Sequence, residues 1–300
     1  MTKKQEFYNN VANGVSEILG DEMVVEIQEV TKVNLSLDGL TIRKRNESIA
    51  PTIYLNQYFN QFNDGRTMDD IVQDIILVYE NNQPENIMDV FKTEEFYDFD
   101  KMKEKIVLKV INTERNLDLL EQVPHLDMEG LGLSVVFYVS LMAGEQSAGI
   151  LIKNEHLKLW EKTVSDLLSV AETNTNRMHA FTIKNLSEVL SGMFGFEEDL
   201  IPDEPVFYVL TDENMTFGAS QLYLKDKIRE FAEKNNCDVY ILPSSVHELL
   251  LLRADFPNLE PSYLKEIVCE VNATEVSAEE EFLFEGAYKY ELATDKIIAL

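Results

Sequence analysis

The sequence predicts an α+β protein whose mixed or antiparallel sheets are covered by packed helices. Apolar residues recur at helical spacing in segments such as 3–19, and they alternate with polar residues in segments such as 33–37 and 105–110. In the C-terminal third the elements follow the order β-α-β-β-α-β, which is typical of a compact layered unit.

The N-terminal third begins with a helix that Gly20-Asp21 ends, and the pair Asp38-Gly39 favours a turn between two strands. Thr67 is a suitable N-cap for the last helix, since Asp69 and Asp70 follow in its first turn, where the helix dipole favours negative charge. The predicted elements are a helix over 3–19, strands over 23–30, 33–37 and 40–42, and helices over 51–62 and 67–79.

The remaining two thirds mix short strands and helices. In the middle we expect strands over 105–110, 131–141 and 149–152, and helices over 116–122, 154–160 and 163–172. Towards the C-terminus we expect strands over 206–210, 238–242, 248–252 and 288–300, with helices over 220–234 and 262–272.

Three hundred residues are more than one compact domain usually holds. We therefore expect three units: a helix-hairpin-helical unit over 1–92, an α+β unit over 93–197 and a second α+β unit over 198–300.

The charge balance is strongly acidic, with 54 Asp and Glu against 26 Lys and Arg and a net charge of −28. Nucleic acids and anionic membranes both attract proteins through basic contacts, so the charge predicts no direct binding to either. It favours instead a protein partner with a basic surface.

The chain has two cysteines, Cys237 and Cys269, which form neither a disulfide framework nor a zinc motif. Its first residues lack the apolar segment of a signal peptide, and its longest apolar stretch, 131–143, is shorter than the roughly 20 residues that span a bilayer. We therefore expect a cytoplasmic protein.

The most site-like segment is Pro243-Ser244-Ser245-Val246-His247-Glu248, between two predicted strands. A serine beside a histidine is typical of nucleophilic catalysis, so Ser244, Ser245, His247 and Glu248 are the candidate catalytic residues. The segment lacks the Gly-x-Ser-x-Gly elbow, and the alternative is a turn in which proline stops the strand and the serines cap backbone groups.

No cofactor or metal ion is predicted. Gly130-Leu131-Gly132 precedes a strand instead of following one and opening a helix, so it is not a dinucleotide-binding motif. His247-Glu248 lacks the second histidine of a zinc protease motif, and His125, His156 and His179 lie in different predicted elements.

Five segments carry a resemblance to a known family. In the C-terminal third they are 207–214, Gly218-Ala219-Ser220 and 242–248. Upstream they are 119–125 and 152–160. These segments resemble the bacterial family domain of unknown function 5688, and the order of elements is similar to a broader bacterial family, domain of unknown function 1444. The resemblance implies a cytosolic bacterial α+β protein, and it assigns no activity and no site residues.

Three functional hypotheses follow. The charge and the absence of catalytic spacing favour a non-enzymatic protein that binds a macromolecular partner through an acidic surface or groove. The first alternative is a hydrolase-like enzyme that uses Ser244 or Ser245 with His247, and the second is an acidic DNA mimic that inhibits a DNA-binding protein.

Overall fold

The computed structural model describes residues 2–45, 52–81, 93–143, 146–189, 207–243, 245–256, 264 and 282–300. The chain divides into two compact units, Met1–Thr93 and Glu94–Leu300. The boundary predicted between 197 and 198 lies outside the described residues and stays a prediction.

In the described residues of the first unit, a three-stranded antiparallel sheet in the order β1-β2-β3 packs with three helices. Its elements are α1 Lys3–Leu19, β1 Met23–Lys32, β2 Leu35–Lys44, β3 Thr52–Tyr54, α2 Asn56–Asn63 and α3 Met68–Asn81. One apolar core joins the helices to the sheet, with Phe7, Leu40 and Ile71 among its most buried members.

The first helix, α1, confirms the prediction at both ends. The Thr2 hydroxyl accepts a hydrogen bond from the backbone N–H of Gln5, which satisfies one of the free donors at the helix start. Gly20 follows the last turn with φ of +80°, a conformation that glycine adopts without steric cost.

The predicted turn at Asp38-Gly39 is wrong. The hairpin turns at Val33-Asn34, where Asn34 has φ of +62°, and Gly39 lies inside β2. A Cβ atom at position 39 would approach the Thr52 side chain of β3 to 2.4 Å, so the glycine permits close strand packing.

The helix predicted over 51–62 is also wrong in its first half. Thr52–Tyr54 forms β3, which pairs with Gly39, Leu40 and Thr41 of β2, and helix α2 begins only at Asn56. Pairing with a distant strand decides the structure here, and local spacing of apolar residues cannot reveal it.

The second unit contains two antiparallel sheets and several short helices. Its first part comprises α4 Thr93–Phe96, α5 Phe99–Met102, β4 Ile106–Asn112, α6 Leu117–Leu120, β5 His125–Met128, β6 Leu133–Ala143, β7 Gln146–Leu151, α7 Asn154–Trp160 and α8 Val164–Met178. Its second part comprises β8 Thr182–Asn185, β9 Tyr208–Thr211, α9 Gln221–Leu224, α10 Asp226–Asn235, β10 Val239–Leu242, β11 Leu249–Arg253, β12 Tyr288–Glu291 and β13 Lys296–Ala299.

The α+β class is confirmed. In the four-stranded sheet, β6 pairs with β4 along one edge and with β5 and β7 along the other. The six-stranded sheet has the order β13-β12-β10-β11-β9-β8. Strand β5 was not predicted, and the helix expected over 262–272 lies outside the described residues apart from the helical Leu264.

Helix α8 packs against β4, the strand that carries part of the candidate site. Thr163 caps the helix, and Asp166 completes a reciprocal capping box. Farther along, the Thr175 hydroxyl accepts a hydrogen bond from the Leu108 N–H of β4 at 3.0 Å, and Asn174 donates to the Ile106 carbonyl at 2.9 Å. The end of α8 is thereby held against β4.

No helix in the described parts of the chain is long and apolar enough to cross a membrane.

Candidate functional site

A cavity of about 300 Å³ lies in the second unit. One wall is a face of the four-stranded sheet, and another is formed by the segment after β9 and the turn before β11. Its polar lining comprises Lys109, Tyr138, Ser140, His179, Asn214, Thr216 and His247. This volume is at the lower end of the range for small-molecule sites.

The loop after β9 and the 245–248 turn are held together by backbone contacts. Gly218 donates to the His247 carbonyl at 2.8 Å, and the Thr211 hydroxyl donates to the same oxygen at 2.9 Å. A Cβ atom at Gly218 would come within 2.5 Å of that carbonyl and 2.6 Å of the Leu210 carbonyl. Only glycine therefore allows this close approach.

A buried histidine–carboxylate pair lies at the cavity, and its histidine contributes to the lining. His179 follows α8 and Asp212 follows β9, and Nδ1 of His179 donates to Oδ2 of Asp212 at 2.7 Å. Their side chains are only 6% and 1% exposed. A carboxylate only accepts hydrogen bonds, so the proton must lie on Nδ1 in the neutral imidazole and the lone pair on Nε2.

Asp212 is held as an anion. The Thr216 N–H donates to its Oδ1 at 2.7 Å, and the Thr216 hydroxyl donates to its Oδ2 at 3.0 Å. Burial alone would raise the pKa of Asp212, but the hydrogen bonds from His179 and Thr216 outweigh burial and hold the pKa below its usual value.

Nε2 of His179 is buried and has no hydrogen-bond partner among the described residues. Buried polar atoms are nearly always paired, so such an atom beside a cavity indicates a place where a ligand group binds. The imidazole stacks on Phe217 with 3.8 Å between ring centroids. Because Nε2 is covered, contact with a ligand would require neighbouring side chains to shift.

Lys109 also lines the cavity, and it has no acidic partner in hydrogen-bond range among the described residues. It lies on β4, and its Nζ is 4.6 Å from the ring centroid of Phe217 and 5.1 Å from that of Tyr138. Burial lowers the pKa of Lys109, and the charge of Asp212 opposes this effect without reversing it. Across the part of the chain that the structure describes, no carboxylate lies within 4.0 Å of this amine.

Two hydroxyl groups complete this side of the cavity. Burial raises the pKa of Tyr138 to about 12, so its phenol stays protonated and can donate a hydrogen bond. Ser140 is buried two residues farther along β6 and lines the same space. Gly149 of β7 lies opposite Ser140, where a Cβ atom would approach the Tyr138 ring to 3.2 Å.

Of the candidate residues predicted from the sequence, His247 lines the cavity. Its Nδ1 faces the Thr216 carbonyl at 3.0 Å. The buried Ser245 hydroxyl accepts a hydrogen bond from the His247 backbone N–H at 3.0 Å, which is the turn-capping role considered as the alternative. Glu248 ends the turn, and its carbonyl accepts from the Ser245 N–H at 3.4 Å. Ser244 lies outside the described residues, and a catalytic role for any of the four stays a prediction.

The other histidines lie apart from this cavity. His125 is in β5, where its Nδ1 donates to the Val123 carbonyl, and His156 packs in α7 against Phe96 and Trp160. Within the described ranges, no group of three or more His, Cys, Asp or Glu residues is arranged to hold a metal ion.

Sequence reasoning missed His179, Asp212 and Lys109. They lie on three elements that are far apart along the chain, so no local spacing connects them. One signal was present: Lys109 interrupts the apolar run Ile106-Val107-Leu108-Lys109-Val110-Ile111, and a lysine in an otherwise buried strand is uncommon.

The fold and the cavity define an α+β protein with a small cavity of mixed polar and apolar lining in its larger unit. A family model described as a family of unknown function, domain of unknown function 5688 (DUF5688), matches residues 4–291. The chain therefore belongs to this family. Neither a curated protein nor a solved structure matches it.

Proposed function

We propose that this protein is an enzyme that performs acid–base chemistry on a small molecule bound in the cavity, with His179 as the general base. The observation that carries the proposal is the buried His179–Asp212 pair, whose Nε2 has no partner among the described residues. Asp212 fixes the tautomer, so the imidazole presents a lone pair that can accept a proton.

Hydrolysis is the simplest reaction for this pair, because it needs only a water molecule besides His179, Asp212 and the ligand. In this scheme Nε2 takes a proton from a water molecule, the water oxygen attacks an electrophilic centre of the ligand, and the imidazolium returns the proton to the leaving group. Asp212 stabilises the imidazolium without itself taking the proton. The hydrolase-like alternative is thus kept, with His179 as the base instead of His247.

The cavity volume supports a small ligand over a macromolecular segment, since 300 Å³ is at the lower end for ligand sites. A cytoplasmic location is part of this proposal, because such a site would act on small molecules of the cell interior. Binding of a basic protein partner by the acidic surface is a separate proposal that rests on the net charge of −28.

The test is a comparison of variants against a pool of natural small molecules. The wild-type protein, His179→Gln and the control His125→Gln are each incubated with the small-molecule fraction of a bacterial extract, and the compounds are followed by mass spectrometry. We expect the wild type and the control to consume a compound that His179→Gln leaves intact. The combined mass of the products should equal that of the compound plus one water molecule. Equal consumption by wild type and His179→Gln, or no consumption by the wild type, would contradict the proposal.

A further inference from the structure

The half-buried amine of Lys109 raises a separate question about the ligand. An ammonium group has three N–H donors and is costly to bury without an acceptor. The rings of Tyr138 and Phe217 stabilise the charge through their faces, at 5.1 and 4.6 Å, but they accept no conventional hydrogen bond from it.

The charge of Asp212 acts on the Lys109 amine, but the Asp212 oxygens are already hydrogen-bonded. Its two oxygens accept hydrogen bonds from His179 and Thr216 at 2.7 to 3.2 Å. Asp212 therefore lowers the cost of burying the ammonium without supplying an acceptor to it.

Other donors line the same cavity. The phenol of Tyr138 and the hydroxyl of Ser140 have no hydrogen-bond partner in the described part of the chain, and neither has the exposed amide of Asn214. An ammonium, two hydroxyls and an amide around one space match a ligand group with several acceptor oxygens and negative charge.

We propose that the cavity recognises a small anion, a carboxylate or phosphate group of the ligand, through Lys109. This inference rests on the proposed function, because an anionic ligand at Lys109 would be the molecule on which His179 acts. Lys109 and His179 both contact the Phe217 ring, so an anionic group at Lys109 would position the remainder of a small ligand beside the imidazole.

The test uses inorganic phosphate and acetate as probes, titrated separately into the full-length protein by NMR at constant ionic strength. We expect one of the two to shift backbone signals of residues around the cavity in a saturable manner in the wild type, and the more strongly bound anion identifies the group. Lys109→Met is expected to weaken that binding at least tenfold, and Lys109→Arg is expected to keep most of it.

The matched control is Lys184→Met, because Lys184 is also a strand lysine but is exposed and lies outside the cavity. It should bind the probe like the wild type. Absence of saturable binding of both anions to the wild type, or equal binding by Lys109→Met in a folded protein, overturns the inference.

His179→Gln separates this inference from the proposed function. Retained anion binding with lost turnover supports both, whereas retained anion binding with normal turnover contradicts the role of His179 and leaves Lys109 as the anion site.

Discussion

Replacing Asp212 with asparagine perturbs the proposed centre with little change in shape. The aspartate accepts hydrogen bonds from His179 and from both the N–H and the hydroxyl of Thr216. Asparagine keeps one oxygen for the Thr216 N–H and places an NH₂ group against Nδ1 of His179. The imidazole must then move its proton to Nε2, which removes the lone pair that acts as the base.

The magnitude follows from these contacts. A hydrogen bond to a charged group contributes about 1.5–3 kcal/mol, and the new contact between the asparagine NH₂ and Nδ1 returns part of that loss. We therefore expect Asp212→Asn to lower the free energy of unfolding by about 1–2 kcal/mol at neutral pH and to lower the hydrolytic rate by about 10²–10⁴-fold.

The pH dependence has a definite sign. The pKa of Asp212 is lower in the folded protein than its unfolded value of about 3.9, so its ionisation stabilises the fold above that value. This contribution is lost as the pH falls through the folded pKa. The stability difference between wild type and Asp212→Asn should therefore be largest at neutral pH and shrink in acid.

Urea unfolding followed by circular dichroism at several pH values measures this difference, with Glu213→Gln as control because Glu213 is the exposed neighbour in the same loop. The reasoning is refuted if Asp212→Asn is as stable as the wild type at neutral pH, or if the difference grows on acidification.

Three further predictions concern other positions. Gly218→Ala should destabilise the protein by about 1–3 kcal/mol in urea unfolding, since its Cβ would lie 2.5 Å from the His247 carbonyl. An unchanged urea midpoint of unfolding would contradict the close approach. Lys109→Met should keep or raise the unfolding free energy, by up to about 1 kcal/mol at neutral pH, because it removes a half-buried charge. The wild type should approach this variant in stability as rising pH neutralises the amine. A clear loss of stability in Lys109→Met would argue against a ligand-binding role. Asn34→Val should lower the free energy of unfolding by about 1–2 kcal/mol, and Asn34→Gly should change it little, because position 34 has a positive φ. Equal losses of unfolding free energy in the two variants would contradict the turn.

The sequence predicts those elements that local signals define. Helix α1 has a clear apolar spacing between Thr2 and Gly20, and α3 begins directly after Thr67, whose hydroxyl accepts from the Asp70 N–H. Strand β3 could not be predicted in this way, because its three residues are held by pairing with β2.

The candidate site was predicted in part for the same reason. The segment 243–248 was recognised because its residue types are unusual between two strands, and His247 does line the cavity. His179 and Asp212 are 33 positions apart and meet only because α8 and β9 end side by side. Thr175 accepts a hydrogen bond from β4 and Asn174 donates one to it, so the end of α8 is held against β4; no spacing within one element reveals the contact between His179 and Asp212.

The most direct test of the account is a long-range ¹H–¹⁵N NMR spectrum of the imidazole nitrogens, with His179 assigned from His179→Gln. For the neutral ring of His179 we predict a protonated Nδ1 and an unprotonated Nε2, with the Nε2 signal shifting when the more strongly bound of phosphate and acetate is added. A proton on Nε2 of the neutral ring, or a His179 spectrum that does not respond to a saturating anion, would contradict the claim that this pair serves a ligand in the cavity.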